Sequence, residues 1–397
     1  MLLQVEKAKE ILRESQKKAS DIEEIDIDDA YNRVLAEDVL AKFNNPPYPK
    51  SAMDGYAVSS KDSDKLSKKK IIGTNFAGDC NDFDYEENTC VRIMTGAFVP
   101  KCYDAIVKQE DCDVFDDYIE IKKTYKPFDY YIKEGEDVSK GELLIPKNTR
   151  ISSVDLSILA SNGYAKVKVY RKLKVALLST GSELLYPGDD YTPGKIYSST
   201  TFTLKSILKN SGVEVVEQKN CMDDEKSIIK EIKNLTQKSD IVITTGGVSV
   251  GDKDLMETCM EQIGEVLFHR IAMKPGTPVM ASKVGDTIVL SCSGSPFAAF
   301  CNFEVLFWDL YNKYYGLNVK QFEKGKVVKG SMKTSRLQRY VRCFVKDSEI
   351  TIFDKHKNSM LQDLTNCNAL LLQKQNESLD VGSSVDYIYL GEIWEFL

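Results

Sequence analysis

The chain has 397 residues, 42% hydrophobic and 28% charged. It is longer than one hydrophobic core ordinarily serves, since cores stop growing near ~250–300 residues, and too apolar for wholesale disorder or a collagen-like repeat. With 53 Lys and Arg against 60 Asp and Glu, the formal net charge of -7 excludes a general field that would draw in nucleic acid or anionic lipid, so an anionic ligand needs a local cradle.

No uninterrupted apolar run approaches ~18 residues, and Met1 to Ser20 reads as a charged amphipathic helix rather than a leader, which predicts a cytoplasmic chain with no membrane partner. Val5, Ala8, Ile11 and Leu12 recur at helical spacing there. A short strand is expected near Tyr31 to Val39, and Asn44-Asn45-Pro46-Pro47-Tyr48-Pro49 then forces an extended path that suits a domain boundary. From about Tyr56 to Tyr131 the runs are short and alternating, as in a small β-rich module. Leu143 to Val169 mixes a strand, a helix near Ser153 to Ser161 and a closing strand, a segment suited to pack with the N-terminal helix. From Lys174 apolar strands (Val175 to Leu178, Val213 to Val216, Ile241 to Thr244, Ile288 to Leu290) alternate with helical patterns (Phe202 to Leu208, Lys226 to Leu235), which predicts a doubly wound α/β domain. After about Leu317, alternation returns at Arg339 to Val345, Glu349 to Phe353 and Val385 to Leu390, predicting a β-rich final domain.

The 10 cysteines are scattered without a C-x-x-C pair, as reduced structural thiols are. His269 and His356 are the only histidines, so a bound metal is expected to be oxygen-ligated, as magnesium is.

Three loops follow apolar strands: Ser179-Thr180-Gly181-Ser182-Glu183, Thr244-Thr245-Gly246-Gly247-Val248-Ser249-Val250-Gly251 and Ser291-Cys292-Ser293-Gly294-Ser295-Pro296. In open α/β sheets ligands bind outside the carboxyl ends of strands, where glycines let backbone N–H groups approach phosphate oxygens. Any one such turn is ordinarily a plain connector, but three together point to a phosphorylated ligand. Glu183, Asp252, Asp254 and the pair Asp223-Asp224 stand beside them. Carboxylates near phosphate repel it unless a cation intervenes, so these residues either hold magnesium or simply offset helix dipoles. Lys274-Pro275-Gly276-Thr277-Pro278 places a lysine at a rigid bend, where it meets an oxyanion or stands as an exposed turn lysine. Asp54-Gly55 by itself reads as a hairpin turn.

Pro47 to Ala57 (Pro-Tyr-Pro-Lys-Ser-Ala-Met-Asp-Gly-Tyr-Ala), Ile93-Met94-Thr95-Gly96-Ala97, Gly135-Glu136-Asp137, Ser179 to Leu184 and Thr245 to Gly251 together resemble, in order and over essentially the whole chain, the MoeA family of molybdopterin molybdenumtransferases. Tyr340-Val341-Arg342, Ser359-Met360-Leu361 and Asn368-Ala369-Leu370 resemble its C-terminal β-domain. The resemblance implies a multidomain α/β chain: a linker and dimerisation domain (1–42 and 132–170), an inserted β-rich domain (43–131), a doubly wound molybdopterin-binding domain (171–317) and a barrel-like β-domain (318–397). It implies that adenylylated molybdopterin and molybdate bind together, the pyrophosphate bond is hydrolysed with magnesium, AMP leaves and molybdenum reaches the dithiolene. Further implied partners are a second copy of the chain, the molybdopterin adenylyltransferase and apo-molybdoenzymes.

Residue by residue, the resemblance makes Asp54, Glu183 and Asp223 catalytic, with Glu183, Asp223 and Asp254 on the metal. Thr180, Gly181, Ser182, Gly246, Gly247, Ser249 and Gly251 would cradle phosphate, joined by Ser293 and Gly294. Lys274, Arg342 and Ser359 would form the molybdate pocket, Pro275 would be a further substrate-binding residue, and Thr95 and Asp137 would come from the partner side of the cleft. Thr277 stands where the family usually has a second lysine, Ser293 to Pro296 replaces its Pro-Gly-Asn-Pro turn, the basic run before Gly135 is weakened to Tyr131-Ile132-Lys133-Glu134, and Thr200 stands where asparagine is common. Two alternatives remain open: an adenylyltransferase built on the same α/β domain, and a catalytically weakened pterin-binding scaffold.

Overall fold

A computed structural model describes residues 2–63, 68–248, 255–353 and 362–390. Of the expected site residues, Ser249, Gly251, Asp254 and Ser359 lie outside this set.

The Val5–Ser15 helix buries Val5, Ala8 and Leu12 and presents charge on its other face. The apolar stripe does not pack on the 143–169 segment expected to receive it. It joins the core of the α/β domain against the Pro296–Tyr315 helix, with Arg13 donating to Asp309 at 2.6 Å. That helix is apolar nearly all round and offers more surface than its own sheet covers, so the stripe finds its complement there.

The chain then builds a linker region from distant segments. Ile22–Asp26 pairs antiparallel with Lys166–Tyr170, Val39–Leu40 pairs with Leu143–Ile145, and the Ser153–Ser161 helix, opened by a Ser152/Asp155 capping box, completes it. Between these segments a six-stranded sheet is inserted, spanning Gly55–Val58, Lys68–Asn75, Thr89–Ile93, Ala105–Lys108, Cys112–Val114 and Tyr118–Ile121. Gly55 is obligatory in it: a Cβ there would sit 2.0 Å from the Val107 carbonyl oxygen on the neighbouring strand.

The α/β domain carries a six-stranded sheet in the order Glu214–Cys221, Lys174–Thr180, Ile241–Thr245, Thr287–Cys292, Met280–Val284, Glu265–His269. The first four strands run parallel; Met280–Val284 is antiparallel to both of its neighbours, so Glu265–His269 runs in the direction of the first four. Lys174–Thr180, Ile241–Thr245 and Thr287–Cys292 are buried nearly end to end because helices cover both faces. From Lys174–Thr180 the chain winds outward to Glu214–Cys221 and then crosses back to Ile241–Thr245 on the other side. That reversal is the topological switch point at which such sheets hold ligands.

The final domain is a closed five-strand barrel of Glu323–Lys329, Gln338–Lys346, Glu349–Ile352, Ala369–Gln373 and Ser384–Tyr389, closed by pairing of the second with the fourth. Met273–Lys274 of the α/β domain adds a short parallel pairing to Gln338–Arg339. The cysteines are free thiols, mostly buried, and burial pushes the Cys292 thiol up to about 12. Among the described residues no helix is long and apolar enough to cross a membrane.

Candidate active site at the switch point

At the carboxyl ends of Lys174–Thr180, Ile241–Thr245 and Thr287–Cys292 lies a cleft of about 380 Å³. Its floor is two loops pressed backbone to backbone. Gly246 has φ +95, and a Cβ on it would meet the Thr180 carbonyl oxygen at 2.5 Å; Gly247 has φ +72, and its Cβ would meet the Thr180 hydroxyl at 3.2 Å. Only glycine fits this approach, and it keeps the floor of the cleft free of side chains so that a ligand can come close to the backbone. On the third side Gly294 reaches within 3.4 Å of Gly246, measured from the Cβ it lacks.

Two helices begin at the cleft. Ser199 and Thr200 open the Thr200–Asn210 helix, and Ser295 and Pro296 open the Pro296–Tyr315 helix. Both helices therefore turn their N-terminal ends, the positive ends of their dipoles, toward the cleft. With the glycine loops they form an anion cradle inside a chain of negative net charge. Glu183 and Asp223 line the same cleft, so negative charge faces the cradle. The adjoining Asp224 serves the fold instead. It caps the Glu225–Thr236 helix by accepting the Ser227 N–H at 3.0 Å, and donors from Ser227 hold its carboxyl below the usual range.

Thr180, Gly181, Gly246, Gly247, Ser293, Gly294, Glu183 and Asp223 are thus brought together as the sequence led one to expect. Ser182 is not among the lining residues; it is exposed, and its carbonyl accepts a hydrogen bond from Lys195. Lys274 is exposed and Pro275 buried; neither is among the residues that line the cleft, which Pro278 of the same turn reaches. Arg342 is 1% exposed on the barrel face that packs against the Pro296–Tyr315 helix, its guanidinium 4.3 Å from the centre of the Phe297 ring, so it is not brought to the cleft lining. Thr277 uses its hydroxyl within its own turn, donating to the Met273 carbonyl at 2.6 Å.

Asp54 and Thr95 form a second constellation, in the N-terminal half, and Asp137 is held separately, beside Asn45. Asp54 Oδ1 accepts both the N–H and the hydroxyl of Thr95. Ser51 joins the motifs: its carbonyl accepts the Gly96 N–H at 2.7 Å, and it pairs with Tyr131, whose strand leads into Gly135-Glu136-Asp137. Asp137 is fixed by Asn45, whose Nδ2 donates to it at 2.9 Å. All three carboxylate and hydroxyl bearers are exposed, and none lines the cleft of its own chain.

Sequence reading missed Ser198, Ser199, Tyr197 and Ile196, which form the wall between Leu184 and the Thr200–Asn210 helix. The run Ser198-Ser199-Thr200-Thr201 before an amphipathic pattern was a usable signal, because hydroxyl residues gather at helix starts.

Residues 3–163 match the family model described as MoeA N-terminal region (domain I and II), and residues 176–312 match probable molybdopterin binding domain. Molybdopterin molybdenumtransferase of Haemophilus influenzae is 36% identical over 303 residues, 76% of this chain and 74% of the relative. The chain belongs to the molybdopterin molybdenumtransferase family. The Staphylococcus epidermidis relative of the same name is 32% identical over 326 residues, 80% of this chain and 78% of its own. A crystal structure of molybdopterin biosynthesis MoeA protein from Pyrococcus horikoshii superposes with a TM-score of 0.84 at 28% identity, covering 98% of this chain and 99% of that one. A second, at 24% identity and TM-score 0.85, agrees in fold. The family match thus runs through both constellations, the switch-point cleft and the Asp54–Thr95 edge.

Proposed function

We propose that the chain is a cytoplasmic molybdopterin molybdenumtransferase that takes adenylylated molybdopterin and molybdate, hydrolyses the pyrophosphate bond, releases AMP and delivers molybdenum to the dithiolene. The observation that carries this reading is the switch-point cleft, where glycine loops and two helix N-termini face Glu183 and Asp223. Such an arrangement suits a phosphate ester that arrives with a divalent cation.

Magnesium fits the donor set. Among the described residues no group of three or more His, Cys, Asp or Glu could hold a metal alone, so Glu183 and Asp223 would share it with ligand phosphate oxygens, the usual manner of magnesium. When bound, it offsets charge developing on the phosphates. The chain's own part is to fix the phosphates with N–H and hydroxyl donors, to keep the carboxylates within reach, and to leave Lys274 as the compact positive charge for a tetrahedral dianion. Arg342 and Ser359 belong to the same proposed molybdate pocket.

The active form is proposed to be a homodimer in which the Asp54–Thr95 edge of one protomer, with Asp137, completes the cleft of the other. The linker region has a surface suited to this. Its Ser153–Ser161 helix is apolar on most sides yet fully buries only Leu159, and Val154 is 66% exposed. Leu40 and Leu143, which pair across the adjoining strands, are also exposed. An apolar patch of that kind calls for a partner surface. The molybdopterin adenylyltransferase would supply the substrate and apo-molybdoenzymes would take the product.

The test is to incubate the purified protein with adenylylated molybdopterin, magnesium and molybdate, following AMP and reconstitution of an apo-molybdoenzyme. Molybdate-dependent AMP release is the expected result. Tight binding without release would make the chain a scaffold, and formation of adenylylated molybdopterin from ATP would make it an adenylyltransferase.

A further inference from the structure

Asn302 is 0% exposed in the middle of the Pro296–Tyr315 helix, among phenylalanines, alanines and a cysteine. An apolar side chain would fill that space without the desolvation that an amide incurs. The amide is fully engaged, and its partners are not in its own helix. Oδ1 accepts the Ser293 backbone N–H at 3.0 Å. Nδ2 donates to the Gly276 carbonyl at 2.8 Å and lies 3.4 Å from the Met273 sulfur. The orientation of the amide is fixed by these partners, because one is an N–H and the other a carbonyl.

The two backbones it joins belong to different parts of the site. Ser293 leads into Gly294, which rests against Gly246 of the phosphate cradle, and Gly246 donates to the Cys292 carbonyl at 3.2 Å. Gly276 follows Lys274, and the Cβ it lacks would lie 2.3 Å from Asn302 Nδ2, so the turn is shaped around the amide. We propose that Asn302 is a positioning residue: one buried amide clamps the Lys274 turn to the Ser293 turn and thereby sets the oxyanion-binding lysine against the phosphate cradle. This rests on the reading of Lys274 as the molybdate contact.

The chemistry of the clamp makes its two halves separable. N302D keeps an acceptor for the Ser293 N–H and, as the carboxylate, loses the donor for the Gly276 carbonyl, so it is assayed at alkaline pH. Adenylylated molybdopterin binding, measured by titration without molybdate, should change less than about twofold, while the molybdate concentration for half-maximal AMP release should rise about tenfold, the scale of one hydrogen bond. In a K274M background the same substitution should add nothing further to the molybdate requirement, since both act through one turn. Should N302D not fold, N302S replaces it, with a hydroxyl too short to span both turns and the same split expected. An unchanged molybdate requirement, or equal weakening of pterin binding and molybdate use, overturns the assignment. Wild-type protein whose AMP release ignores molybdate overturns the Lys274 reading and the clamp's purpose together; molybdate-dependent wild type with an unaltered variant removes only Asn302.

Discussion

Asp54 and Thr95 meet twice: Asp54 Oδ1 accepts the Thr95 backbone N–H at 2.7 Å and its hydroxyl at 2.8 Å. The backbone donor first, and then the hydroxyl, hold the Asp54 carboxyl below its usual range. A depressed folded-state value means that any stabilisation from this pair is present above the ordinary aspartate range and disappears as pH falls through the lowered value. Thr95→Val removes the hydroxyl and keeps the N–H, so the Asp54 titration should move partway up toward the ordinary aspartate range. The acid limb of AMP release should move up with it if Asp54 acts as a carboxylate. Carboxyl-carbon NMR titration measures the first shift and the pH profile the second; a static titration would detach Thr95 from Asp54 ionisation.

Glu183 is exposed in the cleft, so Glu183→Gln should leave thermal stability within about 0.5 kcal/mol. Turnover should fall about 100-fold or more, and the magnesium concentration needed for half-maximal rate should rise. Asp223→Asn should shift the magnesium requirement in the same direction. Variants with normal magnesium dependence would exclude these carboxylates as its holders.

Gly246→Ala forces a Cβ to 2.5 Å from the Thr180 carbonyl at a φ of +95. Strain of this kind costs about 1–3 kcal/mol, and relief requires the two loops to part. Reduced melting temperature together with weakened binding of the pterin phosphate is expected. Binding at wild-type strength would show that the cradle tolerates the separation.

Leu12 is 0% exposed between the opening helix and the α/β core. Leu12→Ala should destabilise by about 2–5 kcal/mol in chemical denaturation. A loss below about 1 kcal/mol would show that the helix is an appendage rather than part of that core.

The parallel strands and the glycine loops were legible because each has a local signature: a continuous apolar run, then Gly with hydroxyls. The Pro296–Tyr315 helix was not, because a helix buried nearly all round has no polar stripe to mark its period. Its invisibility hid Asn302 as well. It also misdirected the opening helix, whose stripe could be read but whose partner could not. The meeting of Asp54 with Thr95, and the pairing of Ser51 with Tyr131 beside it, join segments far apart along the chain, which no spacing rule reports. Arg342 illustrates the converse, since its position in an ordered motif said nothing of its burial against Phe297.

A strand closed into a barrel has no free edge to offer, yet here Gln338–Arg339 still accepts Met273–Lys274 beside the seam. The barrel thus holds the lysine turn by its backbone, and any tilt of that module would be felt at the turn directly. A molecule gripping the barrel's far side would have a lever on where that turn stands.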